Sequence, residues 1–355
     1  AGVPAIVKPA TVTSFLTEAV VKEIINSGIL PAGALQLICG SANGILDYVG
    51  NQDVVTFTGS ASTGQMLKAH PRILSESVHF NMEADSLNCC VLGNDVTPQQ
   101  PEFDIFIKEV VREITTKAGQ KCTAIRRIIV PENRIEEVRI ALGKRLAQTI
   151  IGDPNIEGVR MGALAGMAQR MEVLEKVEQL SKTQKIIIGD YENFEVKGAD
   201  KVKGAFIPPL VFLNENPFKN LDCHNIEAFG PVSTLMPYKT TEEAIELARL
   251  GKGSLVSSII TTNSKIAKQY VLGAASMHGR ILILNEDCAK ESTGHGSPLP
   301  LLVHGGPGRA GGGEEMGGKR GVFHYLQRTA LQGSPTMLTS ILNQYQQGGK
   351  YIIKD

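Results

Sequence analysis

Charge of one sign is what this sequence lacks most plainly: over 355 residues, 36 Lys and Arg balance 36 Asp and Glu. Without a basic excess there is no field to gather nucleic acid, and there is no acidic tail. No apolar run is long enough to span a bilayer, so a membrane protein is not expected. The six cysteines, at 39, 89, 90, 122, 223 and 288, include no CxxC pair. The seven histidines show no HxxxH or HExxH spacing. Neither a disulfide framework nor a metal site is therefore expected, and a reduced, cytoplasmic setting is. Internal repeats and low-complexity tracts are missing too. So are an initiator Met and a signal-peptide layout. The opening residues, Ala1 to Lys8, read as the interior of a strand, and the chain is expected to be part of a longer protein.

What is present is an ordinary globular composition, 42% hydrophobic, in a chain long enough for two domains. Strands and helices alternate, which argues an α/β fold with parallel sheets and covering helices. The first unit has strands at 5–7, 35–39 and 54–57. Its helices begin at Ser14, with Leu16, Val20 and Ile24 on one face and Gly28 as the stop, at about Asn43 to Gly50, and after Gly59. A strand at 78–82 ends on Glu83. The second unit has strands at 88–92, 125–130, 185–188, 209–213, from Val232, at 256–261 and at 280–284. Its helices are expected at 103–114, 132–151, 169–180, 242–250 and 264–275. Residues 297–318 are glycine- and proline-rich, but Leu299, Leu301, Leu302 and Val303 favour an ordered loop near a ligand. Val322 to Leu331 is expected as a helix, followed by a short helix and a tail.

Several residues carry chemistry, each with a plainer alternative. Cys122 lies in the turn Gly119-Gln120-Lys121-Cys122-Thr123-Ala124, between a helix and a strand. A thiolate there can attack a carbonyl carbon; a free cysteine equally serves as a small buried hydrophobe. The Gly59-Ser60-Ala61-Ser62-Thr63-Gly64 turn opens a helix, where free N–H groups favour a phosphate. It is not the GxGxxG fingerprint, and such glycines often make only a turn. Glu83, at the C-terminal edge of a parallel strand, can be a general base or merely cap a helix or face solvent. His295 and His304 flank the glycine-rich loop, to contact substrate or to bond backbone. Arg126 and Arg127 suit structural roles or a subunit contact. Cys89 and Cys90 suit packing, and Cys288, near Asn285, is a candidate second thiol near the site.

Taken in order, Val7-Lys8-Pro9-Ala10, Leu30-Pro31-Ala32-Gly33, Phe57-Thr58-Gly59-Ser60, the cysteine turn, Glu227-Ala228-Phe229-Gly230-Pro231-Val232, and Gly279-Arg280-Ile281 through Asn285 resemble the aldehyde dehydrogenase superfamily over nearly the whole chain. Within it, residues 82–90, 291–300 and 304–315 are similar to the dehydrogenase halves of bifunctional ring-opening proteins of bacterial phenylacetate degradation. The resemblance implies the aldehyde dehydrogenase fold, with a Rossmann-like cofactor domain, incomplete here, and an α/β catalytic domain. The implied divisions are 1–86 for the cofactor domain, 87–310 for the catalytic domain, 311–332 for a return helix, and 333–355 for a tail or linker to a hydratase-like domain.

The resemblance also implies roles. Cys122 would be the nucleophile and Glu83 the base that activates water. Lys8 would meet the cofactor ribose, Gly59 and Ser60 the phosphates, Glu227 the nicotinamide ribose, and Phe229 the nicotinamide ring. The expected reaction oxidises a CoA-linked semialdehyde, 3-oxo-5,6-dehydrosuberyl-CoA semialdehyde, to its acid, in a cytoplasmic homo-oligomer without nucleic-acid or membrane partners. Where NAD-preferring members often carry a glutamate, three residues past the lysine, this chain has Thr11. No carboxylate there repels a 2′-phosphate, so NADP is expected before NAD. Two further departures are Glu83-Ala84-Asp85-Ser86 in place of Glu-Leu-Gly-Gly, and the family's oxyanion-hole asparagine, which lies upstream of Lys8. Activity is accordingly expected of the parent protein rather than of this stretch alone. An aldehyde dehydrogenase for free small aldehydes and a catalytically silent scaffold of the same fold are the alternatives.

Overall fold

A computed structural model of the chain describes residues 2–42, 44–299, 301–315 and 318–350; Asn43, Pro300 and the last five residues of the expected tail lie outside them. Strand β1 (Ala5–Val7) pairs in parallel with β2 (Leu35–Leu37), and helix α1 (Ser14–Asn26) connects them. Gly28, at φ +67°, takes the left-handed step just past α1. Ser14 does not cap the helix; it is the first helical residue, and its hydroxyl donates to the Thr11 carbonyl at 2.9 Å. Leu16 and Val20 are exposed, and Val21 alone on α1 is buried. Helical spacing was thus a true signal of the element, while among the described residues Leu16 and Val20 of the face it marks stay uncovered.

The second pair, β3 (Val54–Thr58) and β4 (His79–Glu83), is also parallel and is bridged by α2 (Ala61–Lys68) and α3 (Pro71–Ser75). Among the described residues these four strands form two separate pairs, where one sheet was expected. The helix expected at 43–50 is a single 3₁₀ turn, Ile45–Tyr48. Left-handed Gly44 precedes it, and the Asp53 carboxylate accepts the Gly50 N–H at 2.8 Å, which turns the chain instead of extending the helix.

The larger unit is built on a seven-stranded sheet. Its elements are β5 (Asn88–Leu92), α4 (Pro101–Thr115), β6 (Ile125–Pro131), α5 (Ile135–Leu146), α6 (Met167–Ser181), β7 (Lys185–Ile188), β8 (Leu210–Leu213), β9 (Val232–Tyr238), α7 (Thr241–Arg249), β10 (Ser254–Ile260), α8 (Ser264–Ala274) and β11 (His278–Leu284). The strand order is β11-β10-β5-β6-β9-β8-β7, parallel except for β7 against β8. Because successive side chains leave a strand on opposite faces, Cys90 and Leu92 pack with Phe106, Val110, Val138 and Leu142 of α4 and α5. Cys89 and Val91 pack on the other face with Leu247, Ala248 and Tyr270 of α7 and α8. Cys89 and Cys90 are fully buried, as packing residues would be. Helix α5 ends at Leu146, short of the expected Ile151: Ile151 and Gly152 leave it to bridge Met161 and Lys197. A side chain at Gly152 would sit 2.0 Å from the Lys197 carbonyl oxygen.

The glycine-rich stretch is ordered as a hairpin, β12 (His304–Gly305) against β13 (Glu314–Glu315), packed on β4. A Cβ at Gly311 would lie 2.3 Å from the Met82 carbonyl oxygen, so glycine permits the approach. The helix expected at 322–331 is replaced by α9 (Lys319–Phe323), followed by irregular chain and then α10 (Pro335–Leu342). Val322, Leu326 and Leu331 are all exposed, so their spacing finds no surface to bury against. The Tyr325 hydroxyl lies 3.2 Å from Thr56 Oγ1 on β3. Among the described residues, no helix is long and apolar enough to cross a membrane.

One buried arginine ties the central strand β6 to α7 and to the passage before β5. Arg127 is fully buried; it donates to the carbonyls of Leu87 (2.9 Å), Leu247 (2.6 Å) and Ala248 (2.9 Å), and its Nη1 lies 3.1 Å from His224 Nδ1. Two of those carbonyls close α7, where the helix dipole favours a cation. Burial, with Arg127 adding to it, pulls His224 down to about 3, so the imidazole is neutral. Arg127→Met should lower stability by roughly 3 kcal/mol or more, since it strips donors from buried carbonyls. The check is the urea midpoint at unchanged m-value; a loss below about 1 kcal/mol would show that those carbonyls find other partners.

Candidate active site

Each neighbour of Cys122 in its turn is tied down by a different contact. Helix α4 ends at Thr115, and Lys117, Ala118 and Gly119 then run in the left-handed region at φ +53°, +51° and +69°. Gly119 has a second reason to be glycine: a Cβ there would lie 2.2 Å from the Gly230 carbonyl oxygen. Gln120 accepts the Ala165 N–H at 2.8 Å and donates to Gln169 at 2.6 Å. Lys121 reaches both oxygens of buried Glu113, at 2.8 and 2.9 Å. Thr123 Oγ1 donates to the Gly296 carbonyl at 3.2 Å. From the start of β5, Asn88 Nδ2 donates to the carbonyls of Cys122 (2.8 Å) and Ala124 (3.0 Å). Cys122 itself is half-buried.

Glu83 ends β4 and is 3% exposed. Only residues 84–87 separate β4 from β5, so the C-terminal edge of one strand pair faces the N-terminal edge of the large sheet. Cys122 enters from that N-terminal edge, just before β6. A carboxylate oxygen of Glu83, Sγ of Cys122 and a ring nitrogen of His304 all lie within 4.8 Å of one another. His304 Nε2 is 3.6 Å from Glu83 Oε2. Donors of these three kinds at that spacing could hold a cation; they come from three distant segments, which motif spacing along the chain does not see.

His304 is carried by the hairpin, and the hairpin is carried by Asn81. The Asn81 amide donates to the Glu314 carbonyl at 3.1 Å and accepts its N–H at 2.9 Å. Asn81 and Glu83 leave β4 on one face, two residues apart, so the same strand face that grips the hairpin offers the carboxylate to His304. His295, by contrast, is fully buried, with Nδ1 2.6 Å from Ser258 Oγ and its N–H on Glu109. It anchors the 292–297 loop to α4 and β10. Cys288 donates weakly to the Ile283 and Asn285 carbonyls and packs against the α4 core.

The Glu227–Pro231 segment reaches the same place through Arg126. That buried guanidinium donates to the carbonyls of Gly230 (2.5 Å) and Gly119 (2.8 Å), sits 3.5 Å from Glu227 Oε1, and stacks 5.5 Å from the Phe229 ring centre. Glu227 Oε2 accepts the Ser86 N–H at 3.2 Å. Burial pushes the Glu227 carboxyl up to about 7, against the pull of Arg126. Its buried Oε1 has no hydrogen-bond donor among the described residues. Phe229 is 38% exposed and lines a cavity of about 450 Å³ with Lys117, Gln120, Met161 and Gln169.

The Ala84-Asp85 departure has a physical account. The Ala84 N–H donates to the Ala310 carbonyl at 3.1 Å, tying the turn to the glycine-rich loop. Asp85 Oδ1 accepts the Ala61 N–H at 2.9 Å, at the N-terminus of α2, and Oδ2 faces Arg309 at 3.5 Å. Gly59 joins the group directly, donating its N–H to the Glu83 carbonyl at 3.2 Å. Ser60 caps α2 by accepting the Thr63 N–H. Lys8 and Thr11 lie exposed on β1's exit and the turn after it; no hydrogen bond or ion pair among the described residues joins them to the cluster. Sequence reading found Cys122, Glu83, Glu227 and Phe229 but passed over Asn88, Asn81 and Lys121; the first is a polar residue in a fully buried strand, the one signal that was available.

Residues 1–331 match the model of the aldehyde dehydrogenase family. The 3,4-dehydroadipyl-CoA semialdehyde dehydrogenase of Aromatoleum evansii is 41% identical over 307 residues, covering 86% of this chain and 60% of that protein. Protein MaoC of Klebsiella aerogenes is 50% identical over 191 residues, 54% of this chain and 55% of that one. The chain thus spans about 60% or less of the length of these relatives. Among solved structures, lactaldehyde dehydrogenase from Escherichia coli superposes with a TM-score of 0.78 at 24% identity, over 92% of this chain and 64% of that one. With the aldehyde dehydrogenase fold and the Cys122–Glu83 apposition, these matches establish that the chain belongs to the aldehyde dehydrogenase family.

Proposed function

We propose that the protein carrying this chain oxidises a CoA-linked semialdehyde to its carboxylic acid, with Cys122 as nucleophile and Glu83 as base. The observation that carries the reading is their placement within 4.8 Å of each other, a separation one water molecule spans with two hydrogen bonds. The Cys122 thiolate adds to the aldehyde carbon, giving a thiohemiacetal; loss of hydride leaves a thioester. Glu83 then takes a proton from water as the water oxygen bonds to the acyl carbon, and the C–S bond breaks to return the thiolate. The Cys122 backbone N–H is a candidate oxyanion donor. The CoA-linked substrate is supported by the name of the Aromatoleum relative, and a phenylacetate-type substrate, the hydratase-like companion domain and a homo-oligomeric cytoplasmic enzyme complete the reading. A free small aldehyde is the alternative substrate.

A nicotinamide cofactor, when bound, accepts the hydride. The residues present fit one: Glu227 Oε1 is buried without a donor, as a carboxylate awaiting a ribose hydroxyl would be. Phe229 offers an open ring face, and Gly59 and Ser60 open α2. Lys8 and Thr11 would meet the adenosine ribose. Since Thr11 brings no carboxylate, NADP is preferred to NAD, with Lys8 on the 2′-phosphate.

Three outcomes test this in the full-length polypeptide. With wild type and NADP, a CoA semialdehyde should give Cys122-dependent reduction of the cofactor; Cys122→Ala should abolish it. Glu83→Gln should keep the first turnover and accumulate thioester, with steady-state rate down about 10²-fold or more. Wild-type turnover in either variant would remove that residue from its role. Thr11→Glu should raise KM for NADP about tenfold or more while sparing NAD; equal or better wild-type turnover with NAD defeats the NADP assignment. Glu227 makes a cofactor-free prediction. Its folded value, about 7, lies above the ordinary 4.5, so the folded chain holds a proton that the unfolded chain releases between those values. Stability therefore falls as pH rises through that window. Glu227→Gln should gain on wild type by on the order of 2–3 kcal/mol between pH 5 and pH 8, measured by urea unfolding; an equal difference at both pH values would disprove it.

A further inference from the structure

We propose that His304 is a positioning residue for the hydrolytic half of the reaction, holding the Glu83 carboxylate against the Cys122 thioester; this rests on the dehydrogenase reading above. Three observations carry it. His304 is 8% exposed, and its Nε2 is 3.6 Å from Glu83 Oε2. The same cluster places the imidazole within 4.8 Å of the donor atoms of both Glu83 and Cys122. Its backbone is not free to wander: β12 pairs with β13, Asn81 clamps β13 to β4, and a Cβ at Gly305 would meet the Gly313 carbonyl at 2.1 Å. An imidazole set so close to a buried carboxylate is a hydrogen-bond donor for one of its oxygens. The distance is longer than a formed bond, as such contacts often are before substrate is bound.

The division of labour follows from the atoms. Glu83 has two carboxylate oxygens. One accepts the Nε2–H of His304, which fixes the plane of the carboxylate. The other accepts the proton of the attacking water. No proton need pass to His304 for the thioester to be hydrolysed: the water oxygen bonds to the acyl carbon, its proton goes to Glu83, and sulfur leaves with the C–S electron pair. His304 therefore matters when water attacks, and not when the thiolate adds to the aldehyde or the hydride departs.

The test separates those halves in the full-length polypeptide. His304→Leu and His304→Phe, which remove the donor, are compared with wild type by rapid mixing with semialdehyde and NADP. The expected result is a wild-type burst of reduced cofactor followed by a steady-state rate lower by roughly ten- to a hundredfold, with the Cys122 acyl-enzyme visible by mass spectrometry of quenched protein. Added imidazole should raise the steady-state rate of His304→Gly. A purely structural role would lower burst and steady state together, a substrate contact would raise KM alone, and an uninvolved residue would change nothing; each of these overturns the proposal. If His304→Phe unfolds, the smaller His304→Leu variant decides. Failure of the underlying reading is distinct, because wild type would then show no Cys122-dependent burst at all.

Discussion

The site depends on one buried guanidinium. Arg126 binds the carbonyl of Gly119, where the cysteine turn begins, and the carbonyl of Gly230, where the Glu227 segment ends. It also faces Glu227 and Phe229. A charge stripped of water in this way is tolerated only when donors and counter-charge are closely matched, and four partners from two segments a hundred residues apart supply the match. Gly119 and Gly230 must approach so closely that any side chain at Gly119 would strike the Gly230 backbone. The two motifs are therefore a single structural object. Moving either segment would leave Arg126 under-bonded, so the turn is held from its Gly119 end while Asn88 holds the Cys122 carbonyl.

The second constraint is the four-residue passage from β4 to β5. It forces opposite kinds of strand edge to face each other: the C-terminal edge of the β3–β4 pair and the N-terminal edge of the seven-stranded sheet. Ligands in parallel sheets are expected beyond C-terminal edges, and Glu83 obeys that rule. Cys122, Asn88 and Glu227 do not; Cys122 and Glu227 sit before their strands and Asn88 opens its own. All four passage residues are bonded or buried. Ala84 ties to the glycine-rich loop, Asp85 to α2, Ser86 to Glu227 and to β10, and Leu87 to Arg127. Where a Glu-Leu-Gly-Gly turn would rely on glycine freedom, this chain fixes the same passage with a carboxylate.

How much of this was legible in the sequence varies with what each signal reports. Strands β5, β6 and β10 were readable because each holds an apolar run, largely β-branched in β6 and β10, even though Asn88, Arg126, Arg127 and the β10 serines are buried within them. Helix α4 was readable in element and face alike, since its apolar stripe is buried. Spacing reported α1 correctly as a helix and wrongly as a packed one, because periodicity encodes conformation while burial needs a neighbour. At 322–331 the residues at that spacing are exposed, and the helix stops at Phe323. The site divides similarly. Cys122, Glu83, Glu227 and Phe229 were visible as motif residues in a known order. Asn88, Asn81, Lys121 and His304 act through contacts between segments as far apart as residues 81 and 314, and no local pattern encodes that distance.

Glu227 shows what the arrangement demands of stability. Burial holds its carboxyl up at about 7 even with Arg126 beside it, so near neutral pH the folded chain carries a group that would be better solvated in the unfolded one. Arg126 alone does not offset this: its Nε lies 3.5 Å away, beyond a short hydrogen bond, and its Nη donors are directed to carbonyls. A protein selected for stability alone would fill this place with an apolar side chain. Retaining a carboxylate with one oxygen lacking a donor makes sense if another molecule brings that donor, and binding that molecule would then return the stability that the empty arrangement forgoes. Glu113 is buried too but is bonded by Lys121, the neighbour of Cys122, at both oxygens. The contrast is between two glutamates, one bonded at both oxygens and one left open beside an exposed aromatic ring, and it is this difference that supports the proposed cofactor role of Glu227.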